Sequence, residues 1–323
     1  MDSLYEHLHA DGLISDESFE KIKQKQNLFS VHWEIKTLLY LGVLLLTSGL
    51  GLLIYENIDT IGHKVVLALI ALICTGCFAY CFKMALPFTT EKVKSPNTSS
   101  DYVLLLGSVS FLTFIGYLQY EYKAFGTNYN MATLIPMLVL FFTAYYFDHL
   151  GILNMAIANL AVWMGVSVTP KALLLNSGFD SKTIIYTYLV LGAILLTGAY
   201  LTQRLNFKRH FKFSYQHYGV HVTFISLLAG YFFYYNSAFA LLWMLALFAI
   251  AFLIYLDAFK SHSFYFLLLV VLYGYVAISS LVVRMLLLAQ DEGALYLLML
   301  YFIGSAIGLI FLLINLNKRL KAS

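Results

Sequence analysis

The chain has 323 residues, 61% of them hydrophobic and only 11% charged, with a formal net charge of +3 and a mean hydropathy of +0.78. About a quarter of a soluble domain's residues are charged, so this chain has too little charge to solvate a globular surface of its own. With three cysteines and a nearly balanced charge, a disulfide scaffold, a disordered chain and a nucleic-acid binder are also excluded.

The first 36 residues are polar and hold 11 of the 37 Lys, Arg, Asp and Glu residues. The first apolar run starts too late to be the core of a signal peptide, so this segment is expected in the mature protein. Residues 1–30 read as a helical hairpin. Leu4 and Leu8 lie four apart, Gly12 suits a left-handed C-cap, and Ser15 can N-cap a second helix whose first turn holds Asp16, Glu17 and Glu20. Phe19 and Ile22 then face the first helix. So small a hairpin needs something to dock on: the membrane face of its own bundle, a second copy or a soluble cytoplasmic partner.

Apolar runs follow at about 37–55, 65–86, 102–120, 131–147, 151–169, 183–202, 217–236, 237–256, 263–284 and 294–316. Each is long enough to cross the hydrocarbon as a helix, which satisfies its own backbone. The expected fold is all-α, a polytopic transmembrane bundle of about ten helices with a basic tail at 317–323. Very short breaks at Asp148–Leu150 and at Asn236–Ser237 also leave nine or eleven open. Fifteen of the 20 Lys and Arg residues fall on one side of this ladder. The positive-inside rule then puts both termini in the cytoplasm. Tyrosines collect at segment ends, as in Tyr117, Tyr120, Tyr122 and Tyr231, Tyr234, Tyr235, where amphipathic rings favour the headgroup level. Small residues four apart, Gly304 with Gly308, Ala161 with Gly165 and Thr47 with Gly51, are candidate helix contacts.

The stretch HADGLISDESFEKIKQKQ, followed by LYLGVLLLTSGLGLLIYENIDTIGH, resembles the start of the domain-of-unknown-function 2157 family of bacterial membrane proteins. Gly12, Leu13, Ile14, Ser15 and Glu17 match its helical lead-in, and Gly42, Gly49 and Gly51 its glycine-bearing first membrane helix. Asn57 and Asp59 stand at its polar element, where Ile58 replaces a tryptophan. The resemblance implies a multi-pass membrane protein and no particular activity. The lead-in is also similar to the small SHOCT-type oligomerisation module, which implies self-association.

Several side-chain groups are candidates for chemistry. Cys74, Cys77 and Cys81 share one helical face, as a soft metal or redox site requires, but they read better as small apolar residues, because thiolates are disfavoured in lipid without a metal. His217 and His221 have the four-residue spacing of a metal pair without a local acid, and suit the headgroup interface. Arg284 sits before five more apolar residues, and a charge in lipid is a functional candidate. With Glu56, Asn57, Asp59 and Asp291 it defines a candidate polar site on the outer face. The alternative is an arginine snorkelling to headgroups. Asn154, Asn159, Ser167, Ser279 and Ser280 could line a cavity, but are expected to bond between helices. In RLNFKRHFKFSYQH, the basic residues Arg204, Lys208, Arg209 and Lys212 alternate with phenylalanines, which suits contact with lipid headgroups. Residues 87–101 read as a flexible cytoplasmic loop.

No catalytic motif, metal site or cofactor fingerprint is seen, so the leading expectation is a structural, scaffolding or regulatory membrane protein whose partners are lipids and itself. A small-molecule or lipid transporter is the alternative, although the two five-helix halves differ in loop length. A membrane-embedded transferase is the second alternative.

Overall fold

In the computed structural model the described residues are 9, 11–17, 19–20, 62–93, 98–126, 129–168, 182–288 and 293–322, with single positions at 38, 41, 45, 49, 52 and 56. Two compact units divide the chain, Met1–Val66 and Leu67–Ser323.

In the first unit, Gly12 turns the chain at φ +69°, a conformation that costs glycine nothing. The Gly12 N–H donates to the His9 carbonyl at 3.0 Å. The His9 ring stacks on Phe19 at 4.3 Å and meets Asp16 at 2.7 Å. Leu4, Leu8 and Ile22 lie outside the described residues, as do Thr47 and Gly51 of the small-residue candidates. Leu38, Leu41, Leu45, Gly49, Leu52 and Glu56 are helical and exposed.

Among the described residues there are nine α-helices and one 3-10 turn, and no strand. The α-helices are α1 (His63–Met84), α2 (Thr98–Tyr122), α3 (Asn130–Phe147), α4 (Leu150–Val168), α5 (Lys182–Arg204), α6 (Lys212–Phe233), α7 (Phe239–Lys260), α8 (Phe264–Leu288) and α9 (Gly293–Ala322). Seven of them are long and apolar enough to cross a membrane. Outside that set, α4 has a shorter apolar stretch. The other exception is α6, the most buried helix, whose buried side chains include Ser214, Gln216, Thr223 and Ser226.

The polarity of α6 decides the arrangement, because polar side chains are costly against lipid and are accommodated where helices surround them. Helices α4, α5, α7 and α8 all pack on α6. Its residues enter two apolar cores, one with α7 and α8 through Val220, Phe224 and Leu227, the other with α3, α4 and α5 through Tyr215. Short turns reverse the chain between α3 and α4, α6 and α7, and α7 and α8. The α3–α4 corner, the 205–211 connection and the 261–263 turn consequently share one end of the bundle.

Helices α5 and α6 meet most closely at glycine. A Cβ on Gly192 would lie 3.0 Å from the backbone nitrogen of Thr223, and one on Gly219 would lie 3.1 Å from that of Leu196. Such close approach substitutes for the hydrophobic drive that lipid lacks. The sequence expectation placed helix contacts elsewhere. Gly165 does face a neighbour, the Tyr188 side chain, but Cβ atoms on Gly304 and Gly308 would meet nothing within 4 Å. Those two residues are on α9, whose apolar side chains are largely exposed.

Gly192→Ala is expected to destabilise the detergent-solubilised protein by about 1–3 kcal/mol, because the Thr223 backbone must move. Gly304→Ala is expected to stay within about 0.5 kcal/mol. Paired thermal-unfolding curves check both.

Candidate functional site

The most buried charges lie at the bundle end where the α3–α4 corner meets the 205–211 connection. Asp148 closes α3 in the left-handed conformation, with φ 58° and ψ 42°, which aspartate tolerates better than most residues. Its side chain is 2% exposed and faces Lys208, 1% exposed, at 3.4 Å. The His210 Nε2–H donates to Asp148 Oδ1 at 2.5 Å and the Val93 N–H donates to Oδ2 at 2.6 Å. The Lys208 ammonium also donates to the Glu91 carbonyl at 3.3 Å and sits over the Phe88 ring, while the Lys208 N–H donates to the Thr90 carbonyl at 2.8 Å. One carboxylate thus ties together the corner, the 88–93 segment and the 205–211 connection. Lys208 is itself held at φ near +50°, a strained choice for a lysine that its buried ion pair and backbone bond hold in place.

Beside Asp148, His149 caps α4. Its Nδ1 accepts the Ile152 N–H at 3.2 Å. Burial lowers the pKa of this imidazole, with the Asp101 charge opposing the shift.

One helix pair away, Lys212 donates to both carboxylate oxygens of Asp257, at 3.0 and 2.9 Å, and the Gln216 amide donates to Oδ2 at 2.9 Å. These groups close one end of a cavity of about 300 Å3 between α5, α6 and α7, which is otherwise mostly apolar. A second cavity of about 300 Å3 lies between α3, α4, α5 and α6, beside the Tyr145 and Tyr215 hydroxyls, which bond to each other at 2.9 Å.

Deeper along α6, His217, Tyr265, His221 and Tyr273 form a chain across to α8. The Tyr265 hydroxyl lies 2.6 Å from His217 Nδ1 and 3.3 Å from His221 Nε2, and Tyr273 meets His221 Nδ1 at 2.8 Å. Both nitrogens of His221 and one of His217 are therefore engaged by tyrosines, and their best-supported role is bridging α6 to α8. Among the described residues no group of three or more His, Cys, Asp and Glu is placed to hold a metal ion.

At the opposite end, the Arg284 guanidinium lies 4.8 Å from the Tyr235 ring centre and 5.9 Å from that of Tyr231, both on or just past α6. Its Nη1 is buried with no hydrogen-bond partner among the described residues. The polar residues named with it are not seen together. Glu56 is exposed and belongs to the other unit, and Asn57, Asp59 and Asp291 lie outside the described residues.

The four basic residues expected at headgroups separate into two kinds. Arg204, whose Nη1 donates to Tyr200 Oη at 2.9 Å, and Arg209 are exposed. Lys208 is withdrawn from that set by its burial against Asp148, and Lys212 is largely engaged by Asp257. An alternating basic and aromatic string does not reveal which lysine has a carboxylate waiting on another helix. Cys74 and Cys81 are buried and Cys77 is half-buried, all as free thiols. Ser279 bonds across helices to Tyr301 at 3.0 Å, whereas Ser280 bonds within its own helix. Asn154 and Asn159 each bury one atom without a partner, and the Ser167 side chain lies outside the described residues.

Residues 6–153 match the family described as predicted membrane protein (DUF2157). No curated protein and no solved structure matches the chain. The DUF2157 match ends inside α4, so it includes Asp148 and His149 but not Lys208 and His210, nor any of the polar groups along α6.

Asp148→Asn is expected to cost about 3–5 kcal/mol, because it strands a buried ammonium. Asp148→Asn combined with Lys208→Met should recover much of that loss, as read by thermal unfolding. The His149 pKa is lower in the folded state than in the unfolded one, so its contribution to stability is complete above the ordinary value of about 6.5. That contribution is lost as pH falls from there toward the folded value. His149→Gln is expected to flatten this part of the stability-versus-pH curve, measured against wild type between pH 7.5 and 5.

Proposed function

We propose that the chain is a multi-pass protein of a bacterial inner membrane, with both termini in the cytoplasm, and that its work is structural or regulatory rather than catalytic. One observation supports this most directly: the two ion pairs and the two histidines of α6 bond to partners inside the bundle, while Arg284, Asn154 and Asn159 each keep one buried atom without a partner among the described residues. Asp148 is bonded to Lys208 and His210, Asp257 to Lys212 and Gln216, and His217 and His221 to tyrosines. The two cavities of about 300 Å3 are lined mainly by apolar side chains, which suits lipid better than an aqueous passage. Self-association is part of this reading, through the helical stretch that carries Leu38, Leu41, Leu45 and Leu52, leucines three, four and seven residues apart, the spacing of a helix-pairing seam.

Transport is the second reading, favoured by the His217–Tyr265–His221–Tyr273 chain, because imidazoles and hydroxyls bonded in series inside a bundle can pass protons.

The two readings are separated by full-length protein in sealed vesicles, followed for proton and solute flux, with copy number counted by single-molecule photobleaching. A structural or regulatory protein is expected to give no flux above empty vesicles and two or more copies per particle, with fewer copies in Leu45→Ala/Leu52→Ala. Saturable flux abolished by His221→Gln would overturn it in favour of transport. A reporter fused after Ser323 tests the cytoplasmic placement of the C-terminus.

A further inference from the structure

The cavity between α5, α6 and α7 has the polarity of an amphiphile. Helices α5 and α7 both lean on α6, and the gap they leave is walled by Leu196, Ala199, Ile250 and Leu253 and closed at one end by Lys212, Gln216 and Asp257. Its polar end is at the bundle end that holds the 205–211 connection. Leu196 and Ile250 are each seven residues from the polar end, counted from Gln203 on α5 and Asp257 on α7, so the apolar part runs about 10 Å toward the centre of the bundle. At about 300 Å3 the space is roughly twice a cavity that accepts benzene, and two of its lining residues, Tyr200 and Leu253, are exposed on the flank where a membrane supplies hydrocarbon.

Charge selects the headgroup. Two of the three Lys212 ammonium hydrogens go to Asp257, which leaves one donor. Arg204, exposed and just outside the lining, bonds to the hydroxyl of Tyr200, a residue that lines the groove. Its remaining guanidinium hydrogens are available for a phosphate, which this fork matches well. Arg204 and Lys212 against Asp257 leave one net positive charge, the complement of a single phosphodiester. Gln216, 5% exposed, forms the floor because α6 is polar where a lipid-facing helix would be apolar.

We propose that this groove is a specific site for a glycerophospholipid of the adjoining leaflet, with its phosphate held by Arg204 and Lys212 and one acyl chain lying along α5 and α7 against α6. The proposal rests on the groove and its charges, and it stands whether the protein proves structural or transporting.

Native mass spectrometry of full-length protein released from detergent tests this, with phosphatidylglycerol and the phosphate-free diacylglycerol of the same chains as probes. Wild type is expected to retain one phosphatidylglycerol at a defined stoichiometry and to retain diacylglycerol about tenfold less, since a charge-assisted contact is missing. Arg204→Gln should weaken phosphatidylglycerol retention about tenfold and leave diacylglycerol unchanged. Leu253→Trp fills the groove from its exposed edge and should abolish retention of both, whereas Leu245→Trp, exposed on the same helix outside the groove, should not. Equal retention of the two probes, loss of lipid from Leu245→Trp as well, or a broad distribution of lipid numbers from non-specific annular binding would each overturn the site. Should Leu253→Trp fail to fold, the Arg204→Gln comparison of the two probes decides the matter.

Discussion

The packing of the described bundle depends on keeping the polar side chains of α6 out of lipid. Two histidines, a glutamine, a lysine and several hydroxyl residues lie along a helix the length of a membrane span, and hydrocarbon offers none of them a partner. Surrounding α6 with α4, α5, α7 and α8 supplies partners: Asp257 from α7 for Lys212 and Gln216, and Tyr265 and Tyr273 from α8 for the imidazoles. Apolar residues on the remaining faces of α6 then complete two cores. Close packing on α5 follows from Gly192 and Gly219, where the absence of a side chain lets the backbones approach.

A second constraint acts at one end of the bundle. A carboxylate 2% exposed is tolerable only if its charge is matched, and Asp148 finds Lys208, His210 and the Val93 amide. The partners come from segments 55 to 62 residues away in the chain, so the charge fixes loops that composition marks only as polar. Residues 88–93 therefore do more than connect α1 to α2, because they cover Lys208 and help hold its left-handed backbone in place. The DUF2157 match contains one side of this arrangement and lacks the other, so the pairing joins the matched half to the half beyond it.

Lipid is the solvent for most of the remaining surface, and it treats α9 differently from α6. The exposed leucines and isoleucines of α9 need no covering protein, and its Gly304 and Gly308 approach nothing in this chain. Between α5 and α7 the same solvent meets a polar floor. That contrast is why the groove invites an amphiphile and the smooth face of α9 does not.

The sequence by itself determined that the chain is helical and membrane-embedded, because an 11% charged chain with long apolar runs has no other way to satisfy both backbone and side chains. It also marked Gly12 as a left-handed turn and singled out Arg284, His217, His221 and the basic string at 204–212. What each polar residue does was decided by tertiary structure. Lys208 and Arg209 are neighbours in the sequence, yet one is buried on Asp148 and the other is exposed. Arg284 rests on tyrosine rings, and the two histidines bond to tyrosines of another helix. Local pattern records which side chains prefer water or lipid, whereas partnership in a low-dielectric interior depends on which distant residue the packing brings within about 3 Å.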